Sequence, residues 1–323
     1  MRGLTRRAGL ALVLIAVAPA AGAGDSDPDY GLAPAKVADG IYVLWGRQEA
    51  LTQANGANIA NAAFVVGSDS VLAVDAGPTR RYGEQMLAAI GAVTDRPVAT
   101  LVITHHHLDH SFGMAAFAAA GAEIVIHAEA LPALDRDSEI LLANMNELIG
   151  PDWLAGTAIG APTRLVRAPE TVDLGGRAVR ILAFAGGHSP GDLAVIDEAT
   201  ATLIAGDLVF MGRAAAVLHA DIPTWLDQID HLAAMGWRRL IPGHGPLVGA
   251  PAELDPLRDY LGFVEDFPRR SHGRGDSPLE ALMVPLPPRF AALAQIEAEY
   301  QRAIFSQFNK FDRLDTATPP PPE

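Results

Sequence analysis

The sequence predicts a layered α/β domain made of two strand-and-helix halves, followed by a helical C-terminal extension. Half of the 323 residues are hydrophobic and 19% are charged, which provides for a large core and argues against a mostly disordered chain. Short β-rich runs alternate with segments of helical spacing in both halves, in a similar order. After residue 246 this alternation stops, and the remaining segments have a helical pattern.

The N-terminus has the pattern of a secretory signal peptide. Met1–Arg7 contains three arginines and no acid, an apolar run follows to about Ala18, and small residues lead to Ala23. The apolar run is shorter than the ~20 residues that a membrane span needs. We therefore expect residues 1–23 to be removed and the product to be periplasmic, without a membrane span. The Thr5-Arg6-Arg7 element is compatible with twin-arginine export but leaves the general secretory route open.

The elements of the main domain follow from short apolar runs and helical spacing. The strands expected in the first half are residues 41–45, 62–66, 71–74, 99–103 and 122–126. The helices expected between and after them are residues 81–93, 114–120 and 129–149. In the second half, strands are expected at 178–184, 193–196, 202–205 and 239–241, with a helix at 225–235.

The domain boundaries follow from changes in composition along the chain. The main domain is expected over residues 35–250. Residues 251–313 form the helical extension, with helices at 253–267 and 290–308 and a Pro-rich link between them. Residues 314–323 end in four prolines and are expected to be a tail.

Charge and cysteine content exclude several classes of function. Lys and Arg number 24 against 38 Asp and Glu, so the formal charge is −14, and it becomes −17 when the three leader arginines are removed. This balance argues against nucleic acid or an anionic membrane as partner and favours a small-molecule substrate that is not a polyanion. The absence of cysteine excludes disulfides, thiolate metal sites and a cysteine nucleophile.

A histidine cluster follows one of the predicted strands. Four of the ten histidines lie within His105–His110, directly after the apolar strand 99–103. A strand end is where α/β proteins bind ligands, and alternate residues of an extended chain point the same way, which groups His105 with His107. Asp109 lies where the chain turns into the next helix. Imidazole and carboxylate are the ligands that Zn²⁺ takes when thiolate is absent, so the cluster predicts a metal site.

Three later elements repeat the same arrangement. His188, Asp207 and His244 each follow an apolar strand and lie beside a glycine, which allows a sharp turn there. Any one of them is weak evidence, because a single His or Asp in a Gly-rich loop is often only a turn residue. Four such elements in order strengthen the prediction of a metal site.

The complete pattern resembles the metallo-β-lactamase superfamily. The matching residues are His105-x-His107-x-Asp109-His110, then His188, Asp207 and His244, within about residues 37–249. The resemblance implies a four-layer αβ/βα sandwich with two Zn²⁺ at one edge between the sheets. His105, His107 and His188 would hold the first metal; Asp109, His110 and His244 would hold the second; Asp207 would bridge them. Asp75 matches a carboxylate that orients a ligand from behind.

The implied site predicts a hydrolase. Two cations that share a water lower its pKa from 15.7 to about 7, and the metal-bridging hydroxide attacks an ester, thioester or lactam carbonyl. The metals also stabilise the oxyanion that forms. Asp109 is placed to orient the hydroxide and to handle its proton, and it is the predicted catalytic residue.

Several alternatives remain open at this point. The ligand set is that of glyoxalase II-like enzymes, and Asp207 in place of cysteine excludes the largest subgroup of zinc β-lactamases. A zinc β-lactamase in the strict sense remains, as does an iron-dependent persulfide oxygenase with one Fe²⁺. A non-catalytic partner of a quinoprotein is the alternative from another class.

A closer resemblance names a setting rather than a reaction. Residues 39–43, 53–61 and 80–85 look like exported zinc metallohydrolases of the quinoprotein relay type, which are associated with periplasmic alcohol oxidation. A periplasmic quinoprotein system is therefore a candidate partner. The loop 47–61 is expected near the metal, where Asn55, Asn58 and Asn61 could hydrogen-bond a polar substrate.

The remaining histidines are expected to lie outside the metal site. His106 lies between two ligands and should point away from them, toward solvent or behind the site. His127 is expected to pack in the core, His231 to lie on a helix surface and His272 to lie in a solvated basic loop. His219 lies in a long segment after Asp207, and a position outside the cleft is favoured over one facing it.

Overall fold

The structure is a computed structural model that describes residues 28–317. The expected signal peptide and residues 318–323 of the expected tail lie outside the described residues.

A seven-stranded sheet forms the first half of the domain, and its strands lie side by side in chain order. Its strands are β1 (Ala35–Ala38), β2 (Ile41–Leu44), β3 (Ala62–Val66), β4 (Val71–Val74), β5 (Val98–Val102), β6 (Glu123–His127) and β7 (Arg164–Val166). Strands β1 to β4 pair antiparallel, and β4 to β7 pair parallel.

A five-stranded sheet forms the second half. Its strands are β8 (Glu170–Asp173), β9 (Ala178–Ala185), β10 (Gly191–Asp197), β11 (Thr202–Phe210) and β12 (Arg239–His244). They are arranged in the order β12-β11-β10-β9-β8. All neighbours are antiparallel except β11 and β12, which run parallel and end at the same edge of the sheet.

Helices cover the outer faces of the sheets. Those of the first half are α1 (Arg80–Gly91), α2 (Leu108–Ser111), α3 (Met114–Ala119), α4 (Leu131–Ile149) and α5 (Pro151–Leu154). Those of the second half are α6 (Ile222–Ala233), α7 (Asp255–Gly273), α8 (Pro278–Leu282) and α9 (Ile296–Ala317). Helix α1 shows how the pattern works: the Thr79 side chain caps it, and Tyr82, Met86 and Ile90 form its buried face at four-residue spacing.

The core is divided by the two sheets into three layers of apolar side chains. The inner layer, which includes Val65, Val102 and Val195, fills the space between the sheets. A second layer packs the first sheet against its helices. A third packs the second sheet against α6 and the helices of the C-terminal extension. The result is helix, sheet, sheet, helix, which confirms the predicted four-layer αβ/βα sandwich with a helical C-terminal region.

Some elements differ from the sequence prediction. Strand β11 was expected to end at residue 205 but continues through Asp207 to Phe210, because Gly206 adopts φ +53° and the pairing with β12 resumes after a register shift. Strands β1, β7 and β8 were not predicted. In β8 the sequence Glu-Thr-Val-Asp gives too little apolar signal for an edge strand. Helix α9 reaches Ala317, beyond residue 313, because no proline interrupts it there.

Arg177 joins the two sheets at one edge. Its guanidinium donates to both carboxylate oxygens of Asp197 at 2.8 and 3.0 Å. It also donates to the carbonyl oxygens of Asp39 and Val66, at 2.7 and 2.9 Å, on the first sheet.

Within residues 28–317 no helix is long and apolar enough to cross a membrane.

Candidate metal centre

The side chains that the sequence singled out meet at one edge of the two sheets. The segment after β5 contributes His105 and His107 and leads into α2, which contributes Asp109 and His110. The second sheet contributes the other three residues: His188 from the loop between β9 and β10, Asp207 from β11 and His244 from the end of β12. The parallel pairing of β11 and β12 brings Asp207 and His244 to the same edge.

The first cluster contains three histidines and Asp207. His107 Nδ1 lies 3.0 Å from His105 Nε2 and 3.1 Å from His188 Nε2. Asp207 Oδ2 lies 3.6 Å from His105 Nε2 and 3.4 Å from His188 Nε2. One nitrogen or oxygen from each of these four residues lies within 4.8 Å of all the others, so the group has the spacing to hold one metal ion.

The second cluster is on the other side of Asp207. Asp109 Oδ2 lies 3.5 Å from His244 Nε2 and 3.8 Å from His110 Nε2. Asp207 Oδ1, the other carboxylate oxygen, lies 3.1 Å from His110 Nε2 and 3.4 Å from His244 Nε2. The two oxygens of Asp207 therefore face two different clusters, so this residue could contribute to holding a cation in each of them.

Buried polar atoms test whether cations fit here. Among residues 28–317, His110 Nε2 and Asp207 Oδ1 are buried atoms that form no hydrogen bond of acceptable geometry, although they lie 3.1 Å apart. An unpaired buried nitrogen and oxygen are costly unless a ligand satisfies them. A cation in the second cluster would satisfy both atoms, so the residues of this cluster fit a metal ion.

The protonation states favour metal binding. Burial lowers the pKa of His105 and His107 well below the usual value, and it lowers the pKa of His188 to about 4, which leaves lone pairs free on these rings. Burial acts against charge on His110 as well, but the carboxylates of Asp207 and Asp75 outweigh it and raise its pKa well above the usual range. A metal ion would take the place of that proton.

Most of the ring nitrogens that face away from the clusters have partners. His110 Nδ1 lies 2.7 Å from Asp75 Oδ2, His244 Nδ1 lies 2.8 Å from the carbonyl oxygen of Ile59, and His105 Nδ1 lies 3.1 Å from the Thr104 hydroxyl. Contacts of this kind fix which ring nitrogen carries the proton and turn the other one toward the metal. The structure thus puts Asp75 behind His110, where the sequence expected an orienting carboxylate.

The structure brings His219 into the cleft, where the sequence favoured a position outside it. His219 Nδ1 lies 2.9 Å from His107 Nε2, so it contacts the ring nitrogen of His107 that faces away from the first cluster. His219 also lines the cleft. The sequence gave no sign of this contact, because the two residues are 112 positions apart.

A ring nitrogen of His106 lies within 4.8 Å of ring nitrogens of His107 and His219, so this residue does not point away from the ligands as expected. His106 is also buried rather than exposed to solvent. Its Nε2 lies 3.8 Å from Asp137 Oδ2. The sequence could not show this burial, because α4, which carries Asp137, covers the ring only in the folded chain.

The three asparagines of the loop 47–61 do not line the cleft. All three are buried. Asn55 Oδ1 accepts hydrogen bonds from the main-chain N–H groups of Thr52 and Ala57, and Asn61 bonds to backbone at both ends of its amide. The structure does not support the expected contact of Asn55 and Asn61 with substrate, because both already use their amides to hold backbone. Asn58 is buried as well and is not part of the cleft wall.

A cleft of about 270 Å³ lies over the metal clusters. Aliphatic side chains form much of its wall: Leu51, Ile59, Leu108, Leu141, Val217 and Leu218. Besides Asp109 and Asp207 of the clusters, its charged lining comes from Arg213, Glu299 and Arg302. Glu299 and Arg302 belong to α9. The C-terminal extension therefore forms one side of the cleft. Glu299 Oε1 lies 2.8 Å from Arg302 and 3.9 Å from Arg213, between the two guanidinium groups.

Comparison with known proteins identifies the family. A family model described as the metallo-beta-lactamase superfamily matches residues 55–244, more than half of the chain. The chain belongs to the metallo-β-lactamase superfamily. Members of this superfamily, an alkylsulfatase among them, are metal-dependent hydrolases. The histidine and aspartate clusters are typical of its two-metal sites. The sequence-based assignment to the superfamily is confirmed.

Individual relatives are distant. A linear primary-alkylsulfatase from Pseudomonas sp. (strain ATCC 19151) is 23% identical over 285 residues, which cover 73% of this chain and 52% of the relative. The chain thus spans about half the length of this curated relative. A metallo-β-lactamase from Pontibacter korlensis has a similar structure, with a TM-score of 0.59, 20% identity and coverage of 72% of this chain and 99% of its own. A sec-alkylsulfatase from Pseudomonas sp. gives a TM-score of 0.64 at 16% identity, covering 90% of this chain and 52% of its own. At these identities the structural similarities establish the fold alone.

Proposed function

We propose that the protein is a periplasmic dinuclear zinc hydrolase that cleaves an ester, thioester or lactam bond in a small molecule with an apolar portion. The single observation that carries the proposal is the position of Asp207. Its Oδ2 faces His105 and His188, whereas its Oδ1 faces His110 and His244. A carboxylate shared in this way suits two cations a few ångströms apart.

The chemistry of the centre divides between the metals and the chain. Two divalent cations supply Lewis acidity and lower the pKa of a water from 15.7 toward about 7. Asp109 is partly exposed at the cleft, and its Oδ2 is 3.5 Å from His244 Nε2. From this position the carboxylate of Asp109 can hold the attacking water by a hydrogen bond and accept its proton.

The cleft wall determines what else the substrate must contain. Its aliphatic side chains, such as Leu108, Leu141 and Val217, favour an apolar group next to the scissile bond. Burial of such a group also excludes bulk water from the reacting atoms and strengthens the electrostatic interactions there. A small amphiphilic ester or thioester satisfies both requirements.

Zinc is the metal that we propose, because neutral imidazoles and carboxylates are its common ligands when thiolate is absent. The same residue types also bind iron, so metal analysis separates this proposal from the iron-dependent oxygenase. The periplasmic location rests on the signal-peptide pattern of residues 1–23, and the link to a quinoprotein system rests on resemblance in sequence. Cell fractionation together with N-terminal sequencing of the mature protein tests the location.

One preparation can test the hydrolase proposal. Metal content is measured first, and the same protein is then assayed with a thioester, a lactone, a β-lactam, a phosphodiester and an alkyl sulfate. We expect zinc and turnover of a carbonyl substrate that a chelator abolishes and added zinc restores. Iron without zinc, or turnover that survives complete metal removal, would overturn the proposal. Absence of activity on a chromogenic cephalosporin would exclude a β-lactamase in the strict sense.

A second candidate reaction is hydrolysis of an alkyl sulfate ester. The observation that favours it is that Arg213 and Arg302 line the cleft, since guanidinium groups bind tetrahedral oxyanions well. Glu299 lies between the two guanidinium groups, so a sulfate group would compete with this carboxylate for them. A relative of this chain is named as a linear primary-alkylsulfatase. If sulfate is the group that is cleaved, Arg302→Ala should reduce sulfate release from an n-alkyl sulfate far more than hydrolysis of an uncharged ester of equal chain length. Equal effects on both substrates would count against this candidate.

A further inference from the structure

Asn61 joins the first sheet to the segment that carries His244. It directly precedes β3, and its side-chain Nδ2 donates to the carbonyl oxygens of Pro242 and Gly245, both at 2.9 Å. Its main-chain N–H donates to the carbonyl oxygen of Gly243 at 2.7 Å. One asparagine therefore holds the backbone on both sides of His244.

The amide of Asn61 is fully used. Its Oδ1 accepts a hydrogen bond from the main-chain N–H of Gly46 at 3.0 Å, which completes the two donor bonds described above. The side chain is only 4% exposed. Two residues earlier in the chain, the carbonyl oxygen of Ile59 lies 2.8 Å from His244 Nδ1. Residues 59–61 thus contact both the backbone and the imidazole ring of the His244 segment.

The segment held by Asn61 also lies against the bridging carboxylate. A Cβ atom on Gly243 would collide with Asp207 Oδ1, so the backbone at Gly243 packs directly on that oxygen. Asp207 Oδ1 is the oxygen that faces His110 and His244. By contrast, His105, His107 and His188 of the first cluster come from segments after β5 and β9 that make no hydrogen bond to Asn61 among those described.

From this geometry we infer that Asn61 is a positioning residue for the second metal ion. It fixes the distance of His244 and of Asp207 Oδ1 from Asp109 and His110. Its contact with the first cluster is indirect and runs only through the other oxygen of Asp207. The inference rests on the proposed two-metal site and deepens it. It also gives Asn61 a role other than the substrate contact that the sequence predicted. Partners of metal ligands of this kind typically change metal affinity by about 10- to 100-fold.

The test uses a matched pair of variants. Asn61→Asp preserves size and the acceptor oxygen but removes the two donor bonds to Pro242 and Gly245. Asn55→Asp is the control: Asn55 belongs to the same loop and is also 4% exposed, and its Nδ2 donates only within that loop, to Glu49 and Ala50. Each apoprotein is titrated with Zn²⁺ against a chromophoric chelator to obtain two stepwise dissociation constants, and its thermal unfolding is recorded without metal.

For Asn61→Asp we expect the dissociation constant of the second ion to rise by at least about ten-fold. The dissociation constant of the first ion should change by less than about three-fold. Asn55→Asp should leave both constants unchanged, even where the two variants lose similar thermal stability. A merely structural role for Asn61 would give equal changes for both ions, or no change, and would overturn the inference. If Asn61→Asp does not fold, Asn61→Ser, which can donate one of the two bonds, is titrated with the same expectation.

The metal titration of the Asn61 variants can fail or succeed independently of the substrate assays that test the hydrolase proposal. Two zinc ions with the expected selective loss in Asn61→Asp, but no turnover of any substrate, would uphold the role of Asn61 and overturn the proposed reaction. A wild-type protein that binds a single ion would overturn the two-metal site and the role of Asn61 together.

Discussion

Asp75 Oδ2 lies 2.7 Å from His110 Nδ1, and the same carboxylate accepts hydrogen bonds from the main-chain N–H and the hydroxyl of Thr104. Asp75 is buried behind the second cluster and directly follows β4. Because its charge favours a proton on His110 Nδ1, it leaves the lone pair of Nε2 available to a metal ion in the second cluster. A single carboxylate thus links the end of β4, the segment after β5 and the metal centre.

Replacing Asp75 with asparagine should weaken metal binding. The amide preserves the size of the side chain but removes the negative charge that orients His110, so we expect about 10- to 100-fold weaker binding at the second cluster. Competition with a chelator measures the change. Asp95→Asn, an exposed aspartate after α1, serves as the control and should bind metal like the wild type. Unchanged affinity in Asp75→Asn would contradict the orienting role.

Asp109→Ala tests the catalytic role of this carboxylate. Loss of a group that holds and deprotonates the attacking water should reduce kcat by about 10²- to 10⁴-fold. The midpoint temperature of thermal unfolding should remain close to that of the wild type, because Asp109 is partly exposed and outside the apolar core. Asp135→Ala, at an exposed position on α4, is the control. An unchanged rate with Asp109→Ala would refute the proposed role.

Arg177→Ala should destabilise the fold. Asp197 is fully buried, and without Arg177 its charge would lack its strongest partner, so we expect a loss of about 3–5 kcal/mol in the free energy of unfolding. Urea denaturation measures this loss. Arg167→Ala removes an exposed ion pair with Glu129 and should cost less than about 1 kcal/mol. Equal costs for the two variants would mean that Arg177 does not join the sheets energetically.

The same pair predicts a pH dependence of stability. Burial alone would raise the pKa of Asp197, but the hydrogen bonds from Arg177 and Thr200 outweigh it, and the pKa lies below its usual value. The pKa of Asp197 in the folded protein is lower than its unfolded value of about 3.9. Ionised Asp197 therefore makes its full contribution to the free energy of unfolding above about pH 3.9, and this contribution is lost as the pH falls through the folded pKa.

Unfolding experiments between pH 7 and pH 2 can isolate the pH-dependent contribution of Asp197 to stability. The wild type should lose stability more steeply below about pH 4 than Asp197→Asn, which cannot titrate at this position. At pH 7 the variant should be the less stable of the two proteins, and the difference should shrink as the pH falls. Parallel curves for the two proteins over the whole range would show that Asp197 does not contribute in this way.

The pattern of apolar strands followed by His or Asp made the general positions of the candidate metal ligands predictable. His105 and His188 follow apolar strands, and strand ends meet at an edge, so their general position could be inferred from sequence. The position of Asp207 between the two clusters could be expected only from the resemblance to the superfamily. It depends on β11 continuing past Gly206, which the pattern of apolar residues does not predict.

Contacts between distant parts of the chain were not predictable in the same way. Asn61 bonds to the carbonyl oxygen of Pro242, 181 residues away, and in sequence it looks like any polar residue of a turn-rich loop. His219 likewise contacts His107 only because the segment after β11 folds back over the cleft. The helical character of α9 could be read from the sequence, but its contribution of Glu299 and Arg302 to the cleft required the packed structure.

The most direct test of the account is the zinc content of the purified mature protein, measured by inductively coupled plasma mass spectrometry beside the Asp207→Ala variant. Because Asp207 faces both clusters, we expect about two zinc ions per chain in the wild type and at most one in the variant. One ion or none in the wild type, or two ions retained by Asp207→Ala, would contradict it.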